Sequence, residues 1–465
     1  MSRLVVVSNR VQMPRRGAVE SHGGLAVAML EALRKRGGLW FGWSGEISTD
    51  GGLEPKLRQI GQVVYATVNL SSQDYEEYYA GFANSVLWPL LHYRLDLTDF
   101  SRRDMAGYHR VNAGFARQLM PLLRDDDLIW VHDYHLIPLC QSLREAGARQ
   151  RIGFFLHIPW PATQVLLALP NHRSLVRALL SYDVVGFQTD TDRECFLDYI
   201  RAEGRGVAMP DGEVRAYGER ALVGTFPIGI DTAEIVRTSA GAAMGTQAAR
   251  LRESVRGRKL IIGVDRLDYT KGLIERIGAY EHLLANHPEY RRNVVFLQIT
   301  PPSRAGMADY ESIRHAVQDA AGELNGRYAA FDWTPFRYLN RGFNRTTVMG
   351  FLRQSQIGLI TPLRDGMNLV AKEFVAAQPR NNPGVLVLSR FAGAAAELDG
   401  ALVVNPHDIE GVGDALYRGL AMPLAERKER WRRMMSRLRQ WDVHAWREAF
   451  LGALAGRPSK PSDAA

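Results

Sequence analysis

One stretch gathers the groups a charged ligand needs: Thr361-Pro-Leu-Arg-Asp-Gly-Met-Asn-Leu-Val-Ala-Lys-Glu373. The apolar run Ile357-Gly-Leu-Ile-Thr361 leads into it and reads as a buried strand. Arg364, Asp365 and Gly366 break that run, and Met367 to Ala377 resumes with helical spacing. Unpaired N–H groups at a helix start favour anions. Asp365 stands where the chain leaves the strand, the place where α/β enzymes put ligand contacts. Glu373 lies further along the helix, and the whole stretch is read as a site for a sugar nucleotide.

Other segments carry chemistry-bearing residues at the ends of apolar runs. In Gly263-Val-Asp-Arg-Leu-Asp-Tyr-Thr-Lys-Gly272, Arg266 and Lys271 follow the run Leu260–Val264 and precede a helical pattern. Two fixed cations beside a helix N-terminus suit a diphosphate; the alternative is a surface loop with Arg266 bound to Asp268. Arg304 follows another such run in Gln298-Ile-Thr-Pro-Pro-Ser-Arg304. Trp130-Val-His-Asp-Tyr-His-Leu136 places His132, Asp133 and His135 at a strand end, and Phe154-Phe-Leu-His-Ile-Pro-Trp-Pro161 does the same for His157. His132 and His135 lack a third ligand at zinc spacing. Asp125-Asp-Asp127 fits a metal-binding D-x-D but precedes its strand, so a solvated turn is expected; Asp190-Thr-Asp192 reads as a helix N-cap.

Near the N-terminus, Asn9-Arg10 ends the first run, and Gly23-Gly24 opens the helical pattern Leu25–Leu33, either as a ligand approach or as an ordinary turn. Gly37-Gly-Leu-Trp-Phe-Gly-Trp-Ser-Gly45 suits either carbohydrate or a core-facing strand. Tyr78, Tyr79 and Trp88 lie on an expected helix, Gln73–Leu91, where aromatic residues at helical spacing are usually core.

The elements that must position these residues alternate along the chain. β-like runs at Leu4–Ser8, Val63–Leu70, Leu128–His132, Ile152–His157 and Val184–Gln188 form one series. Leu260–Val264, Val294–Ile299, Ile357–Thr361, Val385–Ser389 and Ala401–Asn405 form another. Helical patterns such as Ala106–Leu123, Leu166–Leu180, Thr232–Arg258 and Leu273–Leu284 separate them. Alternation implies α/β architecture with parallel sheets, and two series imply two Rossmann-like domains. The boundary is placed so that residues 1–229 form the first domain and 230–440 the second, with a helix around 440–457 packing back on the first.

With 465 residues, 46% of them hydrophobic and 23% charged, the chain is globular and long enough for two cores. No apolar run reaches spanning length, the N-terminus does not read as a signal peptide, and Cys140 and Cys195 cannot make a disulfide framework. A cytoplasmic enzyme without a membrane partner is expected. The net charge of +8 comes mostly from dispersed arginines, and no nucleic-acid motif accompanies it.

Taken in order, these segments resemble the trehalose-6-phosphate synthases, retaining glucosyltransferases of the GT-B fold. The match runs from about residue 2 to about residue 450. It rests on Val6-Val-Ser-Asn-Arg10, Gly38-Leu-Trp-Phe-Gly-Trp43, Tyr78-Tyr79 through Leu87-Trp-Pro89, His132-Asp-Tyr-His135, Gly153-Phe-Phe-Leu-His-Ile-Pro159, Arg266-Leu-Asp-Tyr269 and Thr361–Glu373. The resemblance implies that Arg10, Tyr79 and Arg304 hold the phosphate of glucose 6-phosphate, with Trp40 and Trp88 completing the acceptor pocket. It implies that Gly23 and Gly24 approach the donor, and that Arg266 and Lys271 bind the diphosphate of UDP-glucose. Phe343 would lie near the uracil. Gly366, Met367, Asn368, Leu369, Val370, Ala371, Lys372 and Glu373 would cover the nucleotide, and Asp133, His157 and Asp365 would grip sugar hydroxyls. His22, Gln164 and Gln356 depart from the family pattern.

The expected reaction is glucosyl transfer to the anomeric hydroxyl of glucose 6-phosphate. Arg266, Lys271 and backbone N–H groups would stabilise departing UDP in place of a metal, with no cofactor and no enzymic nucleophile. Trehalose made this way would serve osmoprotection, and a homo-oligomer, dimer or tetramer, is expected by the same resemblance. Competing readings are another phosphorylated acceptor (glycerol 3-phosphate or a cyclitol phosphate), a catalytically silent sugar-phosphate sensor, and a nucleic-acid binder.

Overall fold

The computed structural model describes residues 2–11, 13, 33, 37–49, 54–303 and 308–456. His22, Gly23, Gly24, the pattern up to Leu33 and Arg304 fall outside the described residues, apart from Leu33 itself. The chain forms two compact units, one running to Ile228 and resuming at Trp446, the other Gly229–Ala445.

The first unit is built on a ten-stranded sheet. Its centre joins β1 (Leu4–Arg10), β2 (Gly38–Ser48), β4 (Val63–Ser71), β5 (Leu128–His132), β6 (Arg151–Phe155), β7 (Val184–Phe187) and β10 (Glu219–Thr225), in the order β4-β2-β1-β5-β6-β7-β10, all parallel. Both edges turn antiparallel, with β3 (Lys56–Ile60) on β4 and β9 (Glu213–Ala216) with β8 (Val207–Ala208) beyond β10. Leu4 to Val7 are wholly buried, because helices cover both faces of a parallel sheet and select continuous apolar strands. Each such side chain contributes roughly 1.5–3 kcal/mol. The aromatic-and-glycine segment after Gly37 is strand β2, between β1 and β4. Trp446 and Phe450, on the helix Val443–Leu454, stack on Trp130 and meet Phe155.

The second unit has a six-stranded, wholly parallel sheet. Its order is β13 (Phe336–Leu339), β12 (Val294–Ile299), β11 (Lys259–Val264), β14 (Ile357–Ile360), β15 (Val385–Ser389), β16 (Leu402–Val404).

Several helical expectations need correction. Leu166–Leu180 is two helices, Thr163–Leu166 and His172–Leu180, because Pro170 cannot continue the first. Thr232–Arg258 is likewise two, Thr232–Ala242 and Thr246–Val255, separated at Gly245. Gln73–Leu91 is mostly a π-helix, Tyr75–Leu87, ending in a short α-turn, Trp88–Leu91. The amide of Trp88 donates to the carbonyl of Ala83, five residues back. Asn84 Nδ2 and Ser85 Oγ donate to carbonyls at the same spacing, Tyr79 and Ala80. Among the described residues no helix is long and apolar enough to cross a membrane.

Candidate active site

In the second unit the polar residues gather beyond the C-terminal ends of β11 and β14. After β11, Asp268 Oδ1 accepts from both the amide and the hydroxyl of Thr270 and shapes a 3₁₀ turn, Tyr269–Lys271. Gly272 follows at φ 64°; a Cβ there would lie 2.4 Å from the carbonyl oxygen of Thr361, so only glycine fits. That turn is zipped to the loop after β14 by the amide of Leu363 on the carbonyl of Thr270. The result brings Lys271 Nζ to 2.7 Å from Asp365 Oδ2. Asn368 Nδ2 donates to the same oxygen, and the amide of Met367 reaches Asp365 Oδ1.

Asn368, at φ 72°, is also the N-cap of helix Leu369–Ala377, accepting from the amide of Ala371. The helix therefore starts at Leu369, not Met367, and the amides of Leu369 and Val370 have no carbonyl of their own helix to reach. Glu373, one turn in, lies 3.5 Å from Arg345, which also pairs with Glu234. Burial raises the Glu373 carboxyl pKa, and Arg345 partly opposes the shift. Beneath these groups Arg276 is wholly buried and bonds Asp265, Gln298, Thr361 Oγ1 and the carbonyl of Lys271. Phe343 is half-buried, with the Arg341 guanidinium over its ring and Phe351 at its edge. Arg266 is exposed on the β11 loop.

Lys372 is engaged within the unit. Its ammonium is fully buried and lies 2.6 Å from Glu397 Oε2, so the side chain forms a core ion pair. It sits on the buried side of the helix, with Phe374 and Val375 also wholly inside.

In the first unit, Asp133 follows β5 at φ 78° and ψ 163°, a conformation that costs a non-glycine residue of order 1–3 kcal/mol. Its amide is held by the carbonyl of Phe155, and its Oδ1 accepts from the amide of His157. The His157 ring has partners at both nitrogens: His132 Nδ1 lies 3.0 Å from Nε2, and Gln188 Nε2 lies 3.5 Å from Nδ1. Gln188 Oε1 is taken by the amide of Ile228, which leaves its NH₂ for the imidazole. His157 Nδ1 is then an acceptor and Nε2–H a donor to His132, which fixes one neutral tautomer. Burial drives the His157 pKa down to about 3, and it pushes His132 down as well, with the neighbouring imidazole adding to the effect.

A second group surrounds Arg10 and the π-helix. The Arg10 guanidinium lies 5.8 Å from the Trp43 ring centroid, and a Cβ on Gly45 would strike it. Tyr79 packs against Trp43 and Tyr75 and stacks on His135. Asn84 holds the π-helix in place, donating to the carbonyl of Tyr79 and accepting from Tyr134 Oη. Trp88 is buried against His92 and Tyr134. Trp40 is buried, and its indole N–H donates to Ser8 Oγ; Trp43 is the tryptophan beside Arg10. The strand alternation in β2 turns the two rings differently: Trp40 packs on Tyr65 and Trp43 on Tyr79.

The acidic motifs resolve as structure. Asp125 and Asp126 form an exposed turn, but Asp127 is buried and chelated by Arg3. The cap before Asp190 is Thr189, whose hydroxyl accepts from the amide of Asp192.

Two Rossmann-like units, each with polar residues at the C-terminal ends of parallel strands, are the architecture of the GT-B glycosyltransferases, and the chain is similar to solved members of that class. The sequence profile of glycosyltransferase family 20 matches residues 2–456. A trehalose-6-phosphate synthase of Sinorhizobium fredii is 52% identical over 456 residues, 98% of each chain. An α,α-trehalose-phosphate synthase (UDP-forming) from Burkholderia xenovorans, solved in complex with glucose-6-phosphate, is 51% identical, with 98% of this chain and 100% of that chain covered at a TM-score of 0.94. An E. coli structure bound with UDP-2-fluoro glucose is 48% identical, covering 97% and 99%, at a TM-score of 0.93. The chain belongs to glycosyltransferase family 20.

Proposed function

We propose that this protein transfers glucose from UDP-glucose to the anomeric hydroxyl of glucose 6-phosphate with retention, releasing UDP and α,α-trehalose 6-phosphate. The observation that carries the reading is the Lys271–Asp365–Asn368 constellation at the head of helix Leu369–Ala377. It occurs in a chain about half identical, over nearly its full length, to synthases solved with glucose-6-phosphate and with a UDP-glucose analogue.

Departure of UDP builds negative charge on the diphosphate. Lys271, Arg266 and the amides of Leu369 and Val370 supply fixed positive ends for it, and a preorganised donor of this kind is worth about 10²–10³ in rate. Lys271 waits on Asp365, so a diphosphate would exchange one anionic partner for another and leave the carboxylate for a sugar hydroxyl. Glu373, steadied by Arg345, would take the ribose, with Phe343 near the base. In the first unit Asp133 and His157 would grip the transferred glucose. His157 has its ring nitrogens engaged by Gln188 and His132, so it orients rather than exchanges protons, and the acceptor proton passes to the leaving phosphate. Arg10 and Arg304 would hold the acceptor phosphate, with Tyr79, Trp43 and Trp88 around the sugar and Gly23-Gly24 at the donor.

Enzyme incubated with UDP-, ADP- and GDP-glucose, each crossed with glucose 6-phosphate, glycerol 3-phosphate and a cyclitol phosphate, should give trehalose 6-phosphate by mass as the dominant product. Exclusive transfer to either other acceptor, or binding without transfer, overturns the assignment. Size-exclusion chromatography tests the accompanying expectation of a dimer or tetramer, and cell fractionation that of a cytoplasmic location.

A further inference from the structure

At the opposite end of the second sheet's strands, where β11 and β14 begin, lies a cavity of about 310 Å³. Arg252, Arg258, Arg353 and Arg427 line it, together with Gln356 and Asn382, and no carboxylate does. Arg258 meets Asp332 from outside the lining, at 3.7 Å. The other arginines have no carboxylate partner among the described residues. Arg353 donates to the carbonyl of Ala377 and faces Ser239 Oγ; Arg427 donates to Asn382 Oδ1 and the carbonyl of Pro383. Arg252 is exposed and has no hydrogen-bond or ion-pair partner among the described residues.

Burial leaves an electrostatic mark on the lining. Burial holds the Arg353 and Arg427 guanidinium pKa values below their ordinary range. Nearby Lys259, whose ammonium bonds the carbonyl of Leu420, is lowered by burial and then by the charge of Arg427. Compensation of helix dipoles explains single contacts, such as Arg353 on the carbonyl that ends helix Leu369–Ala377. It does not explain four guanidiniums around one cavity or an arginine without a hydrogen-bond or ion-pair partner among the described residues. An anion in this cavity would meet several positive side chains and no lining carboxylate. Planar forks of N–H donors match phosphate oxygens.

We propose that this pocket is a second ligand site, taking a phosphate-bearing anion of the size of pyrophosphate or a small sugar phosphate, separate from the groups beyond the C-terminal ends of β11 and β14. Helices Arg345–Gln354 and Leu369–Ala377 both run between the two regions: Arg345 and Asn368 stand at one end, Gln354 and Ala377 at the other.

The test uses the full-length protein with saturating UDP and glucose 6-phosphate present, so that phosphate-binding groups of the transfer site are filled. Inorganic phosphate, inorganic pyrophosphate and fructose 1,6-bisphosphate are then titrated separately by calorimetry, which distinguishes a free oxyanion from a phosphorylated sugar. At least one should bind saturably, and R252E/R427Q should weaken it tenfold or more. R252E alone, at a side chain with no partner to lose, should shift affinity in the same direction with an unchanged melting temperature. No saturable binding by any of the three, or equal affinity in wild type and R252E/R427Q, overturns the proposal.

Discussion

His132 and His157 in the first unit, and Lys271 and Asp365 in the second, occupy corresponding places at or just beyond the C-terminal ends of parallel strands. They meet burial in opposite ways. The imidazoles stay neutral, each pKa pushed down by desolvation, and a chain of hydrogen bonds from the Ile228 amide through Gln188 fixes their tautomers. The second unit sets its groups against partners of opposite charge type: Lys271 with Asp365, Arg276 with Asp265, Lys372 with Glu397, and Arg345 with Glu234 and Glu373. A neutral, rigid surface suits recognition of sugar hydroxyls, which need direction more than field. A paired-ion surface suits a diphosphate, whose arrival replaces one set of countercharges with another.

If the pairs are what hold the second unit's groups in place, breaking a pair buried in the core should cost more than breaking one at the site. Lys372→Met strands Glu397 in the core and is expected to lower unfolding free energy by about 3–5 kcal/mol in urea titrations. Adding Glu397→Leu should recover most of that loss; if the double variant is no better than the single one, the pair is not the cause. Lys271→Ala attacks the exchangeable pair. Turnover should fall about 10²–10³-fold, with circular dichroism and acceptor KM near wild type; a change of less than a few-fold removes Lys271 from the chemistry.

The neutral side of the comparison is tested by acid. The His157 pKa, about 3 when folded, lies far below the ordinary 6.5. As pH falls, the unfolded chain takes up its proton first, so His157's contribution is complete above about 6.5 and is lost progressively toward 3. The melting temperature should therefore drop between pH 7 and 5, and the drop should be smaller in His157→Gln. Parallel curves for the two proteins would place the acid sensitivity elsewhere.

Much of this was legible in the residues, for reasons that differ by element. Strands such as Leu128–His132, Val294–Ile299 and Val385–Ser389 announce themselves because burial on both faces selects unbroken apolar runs. The edge strand Lys56–Ile60 does not, since an exposed antiparallel edge tolerates polar residues at nearly every position. The turn around Asp365 was readable as strand, break and helix. Its partner Lys271 lies 94 residues away, and no local pattern encodes that pairing. Arg345 escaped notice for the same reason. Trp40 and Trp43 share one aromatic cluster in sequence, and only the strand neighbours separate the indole bonded to Ser8 from the one beside Arg10. Lys372 stands next to Glu373 in sequence, whereas helical geometry sends adjacent residues to different faces, and its salt bridge is to Glu397.

The π-helix from Tyr75 to Leu87 has a consequence for how this protein can vary. Hydrogen bonds closing five residues back hold more chain per turn than an α-helix does. Losing one residue would let the segment rewind into the commoner form and swing Tyr79 away from Trp43 and His135, even with every remaining side chain unchanged. Point substitutions on its outer side, such as at Glu76, leave the winding alone. For lineages and laboratory libraries alike, the number of residues between β4 and Trp88 is therefore a tighter constraint than most of their identities.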